Sequence, residues 1–159
     1  NWYESPLKYP IEKSIGVHFK NASFGHMRNH PLKIINEKSP LLDGTNLKNG
    51  DTLSLPTHEF DGPPVEGFTS DSIPIINNKM LGFYKIEPIG FTWGDYNNKK
   101  KIVTWIVFQK TPISGKVINV ASTNWCSNTG IGGSNGKEIK IITKNMINKL
   151  LKKENIFSK

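Results

Sequence analysis

His58-Glu59-Phe60-Asp61 packs an imidazole and two carboxylates into four residues. In an extended backbone alternate side chains face opposite ways, so Glu59 and Asp61 would share one face and His58 and Phe60 the other. Two carboxylates on one face can hold a cation, or can accept backbone N–H bonds and fix a loop. The loop-fixing role is the commoner one. His26 and His30 are four apart, as in a two-histidine metal site on a helix. Met27-Arg28-Asn29 supplies no glutamate between them, and Pro31 argues against a helix. Cys126, the one cysteine, excludes an internal disulfide and is the sole candidate thiol nucleophile. Its context, Asn124-Trp125-Cys126-Ser127-Asn128, lacks the small residues of a nucleophile elbow, and a lone Cys is more often a small buried hydrophobe. The candidate binding residues are therefore His58, Glu59, Asp61, Trp125 and Cys126, with no complete catalytic set and no metal-ligand set.

Gly130, Gly132, Gly133 and Gly136 precede a helical pattern, the arrangement that cradles phosphate. Their spacing is one residue off the dinucleotide fingerprint, and Gly136-Lys137 is followed by Glu138 rather than Ser or Thr. A plain connector fits better.

The elements that must position these residues read as follows. Pro6 and Pro10 mark an extended lead-in to a strand at 15–19, and residues 21–31 are polar and turn-rich. Short strands are predicted at 32–35 and 52–55, with turns at Asp43-Gly44 and Asn49-Gly50. Gly62-Pro63-Pro64 must break whatever precedes it. A strand at 80–87 is predicted to stop at Pro88, with a turn over 95–98. Residues 102–108, Ile-Val-Thr-Trp-Ile-Val-Phe, are apolar at nearly every position, the mark of a strand covered on both faces. After a turn at 112–115, a second buried strand at 117–121 should lie antiparallel to it. Asn135 with Glu138 resembles a capping box. Ile139, Ile142, Met146 and Leu150 follow at helical spacing, with Ile147 and Leu151 beside them and Lys140, Lys144 and Lys152 opposite. The expected fold is α+β with α/β-like character: a β-rich mixed sheet with buried central strands and a C-terminal amphipathic helix, in one domain over 1–159.

Net charge is +8, but residues 1–50 carry +3, 51–100 carry −3 and 101–159 carry +8. The excess sits mostly on the last helix, where a solvated lysine face is the ordinary reading. A single arginine, Arg28, argues against a nucleic-acid surface. No run approaches a membrane span, the start lacks the pattern of a secretory signal, and a reducing, cytoplasmic setting is expected.

Gly115-Lys116-Val117-Ile118-Asn119-Val120-Ala121-Ser122-Thr123-Asn124-Trp125, followed after a polar loop by Ile141-Ile142-Thr143-Lys144-Asn145-Met146-Ile147, resembles the closing segment of the N,N-dimethylformamidase large-subunit family. Upstream, Gly16-Val17-His18-Phe19 is similar to that family's Gly-Val-x-Phe strand, and His58-Glu59-Phe60-Asp61-Gly62 to its Gly-x-Glu-x-Asp segment. The resemblance implies the C-terminal part of a longer protein with a glutamine-amidotransferase-like α/β domain. It implies hydrolysis of a small amide on a mononuclear iron in the full-length protein, its ligands lying before the matched region. This chain would then hold no cofactor and supply scaffold, its partners being the rest of its own polypeptide or other subunits. Ala121 stands where the family has Gly, and Cys126 adds a thiol. The alternative is a non-catalytic binding or assembly module that docks through the basic helix on an acidic partner.

Overall fold

The computed structural model describes residues 6, 8–24, 31–53, 59–96, 99–133 and 136–159. In chain order its elements are α1 (Glu12–Ile15), β1 (His18–Phe24), β2 (Leu32–Ile34), β3 (Thr52–Leu53), β4 (Glu59–Gly62), β5 (Val65–Phe68), β6 (Pro74–Ile76), α2 (Asn78–Leu81), β7 (Lys85–Tyr96), β8 (Lys99–Gln109), β9 (Lys116–Asn119) and α3 (Lys137–Leu151). Single 3-10 turns form at Pro40–Leu42 and Thr123–Cys126. The fold is mixed α+β. A five-stranded sheet runs β3-β2-β7-β8-β9, and two-stranded sheets join β1 to β4 and β5 to β6. Every pairing among the described residues is antiparallel, where a mixed sheet was expected.

Strand β8 is the spine, as its composition demands. Trp105 and Val107 join Leu32, Ile34, Ile89, Ile139 and Ile142 on the face covered by α3. Ile106 and Phe108 join Val17, Leu81 and Phe83 on the other. The rings of Phe83 and Phe108 stack at 4.3 Å between centroids. Each such side chain, fully buried, contributes about 1.5–3 kcal/mol, so both layers are held to the sheet through this strand.

Several sequence expectations shift. The strand expected from residue 15 starts at His18, because Glu12–Ile15 winds one helical turn that Gly16 ends at φ 79. An added Cβ at Gly16 would lie 2.5 Å from Ile106 Cδ1, and any side chain there would have to adopt the same positive φ, so glycine is strongly favoured. Asn78–Leu81 forms α2, capped by the Asn77 side chain, where a strand start was expected. Pro88 does not end β7: the ladder with β8 continues to Tyr96↔Lys99 across a bulge between Pro88 and Gly90. On its other side β7 meets β2 only at Gly90 and Phe91, so Pro88 owes no N–H to a neighbour there. Asp95 and Tyr96 belong to this ladder, and residues 97–98 of the expected turn lie outside the described residues. Residues 54–55 of the second short strand also lie outside them, as do His26 and His30.

The antiparallel β8–β9 pair forms as expected, Phe108 opposite Val117, but β9 is a half-buried edge strand rather than a buried one. Helix α3 buries Ile139, Ile142 and Met146, while Ile147, Leu150 and Leu151 are exposed. Its N-cap position is Gly136, without a side-chain cap; Asn135 lies outside the described residues. Beyond the helix, Ile156 and Phe157 return to the core. Ser158 exchanges hydrogen bonds with the Asn36 side chain at 2.8 and 3.0 Å, and its N–H donates to Glu87 Oε2 at 2.9 Å.

Candidate functional site

Two chain segments meet where the candidate residues cluster. Strand β4 pairs with β1, Gly62 opposite His18, and the Asn21 amide donates to the Gly62 carbonyl at 3.4 Å. Gly62 is laid directly on β8: an added Cβ would collide with the Ile102 carbonyl and sit 2.9 Å from that of Asn21. The close approach lets the Asp61 N–H donate to the Ala121 carbonyl at 3.3 Å, which brings β4 against the turn Thr123–Cys126. The Asp61 side chain is half-buried. His58 and the side chain of Glu59 lie outside the described residues.

The turn itself is built by local hydrogen bonds. Asn119 Oδ1 accepts from the Ala121 N–H at 2.8 Å, and Ser122 Oγ accepts from the Asn124 N–H at 3.2 Å. Ala121 is held at φ 57, a left-handed conformation that disfavours any side chain. Trp125 turns inward. It is buried, packs on Trp105 at 5.4 Å between centroids, and donates its Nε1–H to Thr143 Oγ1 at 3.0 Å. Cys126 turns outward as an exposed free thiol, against the expectation of a small buried hydrophobe. Asp61, Trp125 and Cys126 are thus brought to one junction, with Trp125 serving as part of its interior.

Among the described residues of the glycine-rich loop no anion cradle forms. Gly130 and Gly132 donate their N–H groups to the Ser127 carbonyl, each at 3.1 Å, Gly133 to Gly130 and Gly136 to Gly133, each at 3.0 Å. Ile131 donates to the Trp125 carbonyl at 2.9 Å. These donors, which a phosphate would need, are occupied by the loop's own carbonyls. Glycine is required for a different reason: a Cβ at Gly130 would strike the carbonyls of Asn124 and Trp125.

One pair escaped the sequence reading. His18 Nε2 stands 3.9 Å from Glu12 Oε2, each side chain 5% exposed. A six-residue separation across the α1–β1 junction gives no periodic signal. The one hint was a histidine inside an apolar strand start. Asn119 fastens the same junction, its amide donating to the Ile15 carbonyl at 3.1 Å.

Among the described residues no group of three or more His, Cys, Asp or Glu side chains converges on a metal position. Two surface depressions, of about 550 and about 500 Å³, are lined by residues that include Lys149 and Phe157 in one and Ile75 and Tyr84 in the other. Neither is lined by Asp61, Trp125 or Cys126. Among the described residues no helix is long and apolar enough to cross a membrane. Comparison of the chain with protein-family models, with curated proteins and with solved structures found no match.

Proposed function

We propose that this chain is the closing scaffold of a protein similar to the N,N-dimethylformamidase large subunit, one that hydrolyses the C–N bond of a small linear amide. By itself the chain is non-catalytic. It completes a glutamine-amidotransferase-like α/β domain supplied by the rest of its polypeptide or by other subunits, and it lends a wall to the site. The observation that carries this reading is spatial. The segments quoted for the resemblance lie at 16–19, 58–62, 115–125 and 141–147, yet they touch in series. His18 pairs with Gly62, Asp61 bonds to Ala121, and Trp125 bonds to Thr143. The left-handed φ of 57 at Ala121 suits the glycine that the family carries there.

The iron that the resemblance implies finds no ligand set among the described residues, so no chemical step is assigned to it here. The test compares the 159-residue chain with the product of the complete reading frame. Amine release from N,N-dimethylformamide and formamide, and bound iron, are measured for both. Turnover and iron in the complete product alone are expected; neither in the complete product would overturn the reading.

The exposure of Lys140, Lys144 and Lys152 favours a second reading, an assembly module that docks through the basic helix. Binding to an acidic protein partner that survives neutralising all three would remove it.

A further inference from the structure

The outward stripe of α3 changes character along its length. At about 100° per residue, Lys140, Lys144, Ile147 and Leu151 stand on one line, away from the buried Ile139, Ile142 and Met146. The first two are lysines. The last two are aliphatic and stand 54% and 77% exposed. Lys116 Nζ donates to the carbonyls of Lys153 at 3.3 Å and Glu154 at 2.6 Å, which holds the start of β9, and so the β8–β9 turn, beside the end of the helix. That turn carries Ile113, 97% exposed.

Ile113 is held out rather than left loose. Thr111 N–H donates to Ser114 Oγ at 3.0 Å, Ser114 N–H donates to Thr111 Oγ1 at 3.1 Å, and the Gln109 amide donates to the Pro112 and Ser114 carbonyls at 3.2 and 2.9 Å. Exposed Lys110, Lys152 and Lys153 flank these aliphatic side chains. Lys149 engages two acids near this end, Asp43 at 3.2 Å and Glu154 at 3.8 Å.

We propose that this end of the molecule docks on an anionic lipid bilayer. Ile113, Ile147 and Leu151 enter the boundary of the acyl region, and Lys144, Lys152 and Lys153 lie over the headgroup charges. Aliphatic side chains fixed in water gain by leaving it, and lysines at their rim match a negative surface. A nucleic acid fits less well. Residues 101–159 contain no arginine for bidentate base contacts, and the exposed ring beside this end, Tyr84, whose N–H donates to the Lys110 carbonyl at 3.1 Å, suits a lipid headgroup layer equally well. An acidic protein would engage the lysines but would leave the protruding aliphatics unused.

The test is co-sedimentation of the full chain with vesicles of phosphatidylcholine alone and with about one-third phosphatidylserine. Binding is expected only to the second, weakening as salt rises. Ile113→Ser/Leu151→Ser and Lys144→Glu/Lys152→Glu should each weaken it at least about tenfold, with helix content by circular dichroism unchanged. Ile113→Ser alone, at a turn tip, serves as the variant least able to disturb the fold. Equal binding to phosphatidylcholine alone would overturn the proposal. So would wild-type binding by both Ile113 variants, or binding to duplex DNA or polyglutamate as tight as to the anionic vesicles.

Discussion

The indole N–H of Trp125 donates to Thr143 Oγ1 across 3.0 Å, and the same hydroxyl donates to the Ile139 carbonyl at 2.6 Å. One threonine thus ties the turn after the last strand to the middle of the helix. Thr143→Val keeps the shape but leaves a buried indole N–H without an acceptor, which should destabilise by about 1–3 kcal/mol. In a Trp125→Phe background, where no donor remains, the same change should have a much smaller effect. Urea unfolding of the four proteins of this cycle reads the coupling. Equal effects of Thr143→Val in both backgrounds would mean the bond adds nothing.

Ala121 sits at φ 57 with its N–H held by Asn119 Oδ1. A left-handed non-glycine residue carries about 1–2 kcal/mol of steric penalty, and glycine removes it at an unfolded-state entropy cost of about 0.4–1 kcal/mol. The lost methyl, buried against Val103, costs about 0.8 kcal/mol more, so Ala121→Gly should stay within about 1 kcal/mol of the parent, whereas Ala121→Val should destabilise by more, since a β-branched residue resists this conformation. Thermal unfolding of both variants reads the difference, and an Ala121→Val midpoint no lower than that of Ala121→Gly would contradict the strain.

Gly62 lies against the Ile102 carbonyl, closer than any side chain allows. Gly62→Ala should lift β4 from β8 and destabilise by about 3 kcal/mol. The effect should be regional. Amide exchange should accelerate first in β1 and β4 while the β7–β8 ladder keeps its protection. Uniform acceleration throughout would show that the two-stranded sheet is not a separate layer.

The exposed Cys126 should react with an aromatic disulfide to one thiol per folded chain, with no need for denaturant. Cys126→Ser should leave unfolding within about 0.5 kcal/mol of the parent. A thiol that reacts only after unfolding would place it inside.

The parts of this fold that were legible in the sequence are those set by composition alone. Residues 102–108 admit no polar face, and they became the covered centre of the sheet. The β8–β9 hairpin followed from its short connection. What was not legible depended on neighbours. Pro88 reads as a breaker unless one knows that β2 is too short to reach it. Ile147 and Leu151 read by residue type as neighbours of the core residues, yet they sit on the far side of the helix from what covers it. Within the candidate site, residue types flagged Asp61, Trp125 and Cys126, but only the fold shows that Trp125 faces in and Cys126 faces out. The Glu12–His18 pair needed the sharp reversal at Gly16 before the two residues could meet.

Ile156 and Phe157 complete the hydrophobic layer that begins at Leu32, and Ser158 is bonded to Asn36. During synthesis, then, the N-terminal third cannot settle into its native packing as it emerges. Its apolar side chains must wait for a stretch made more than a hundred residues later, while long-range strand pairing is still incomplete. Packing of this layer therefore closes only once residues 156–158 have emerged, and a nascent chain halted before them should depend on holding chaperones.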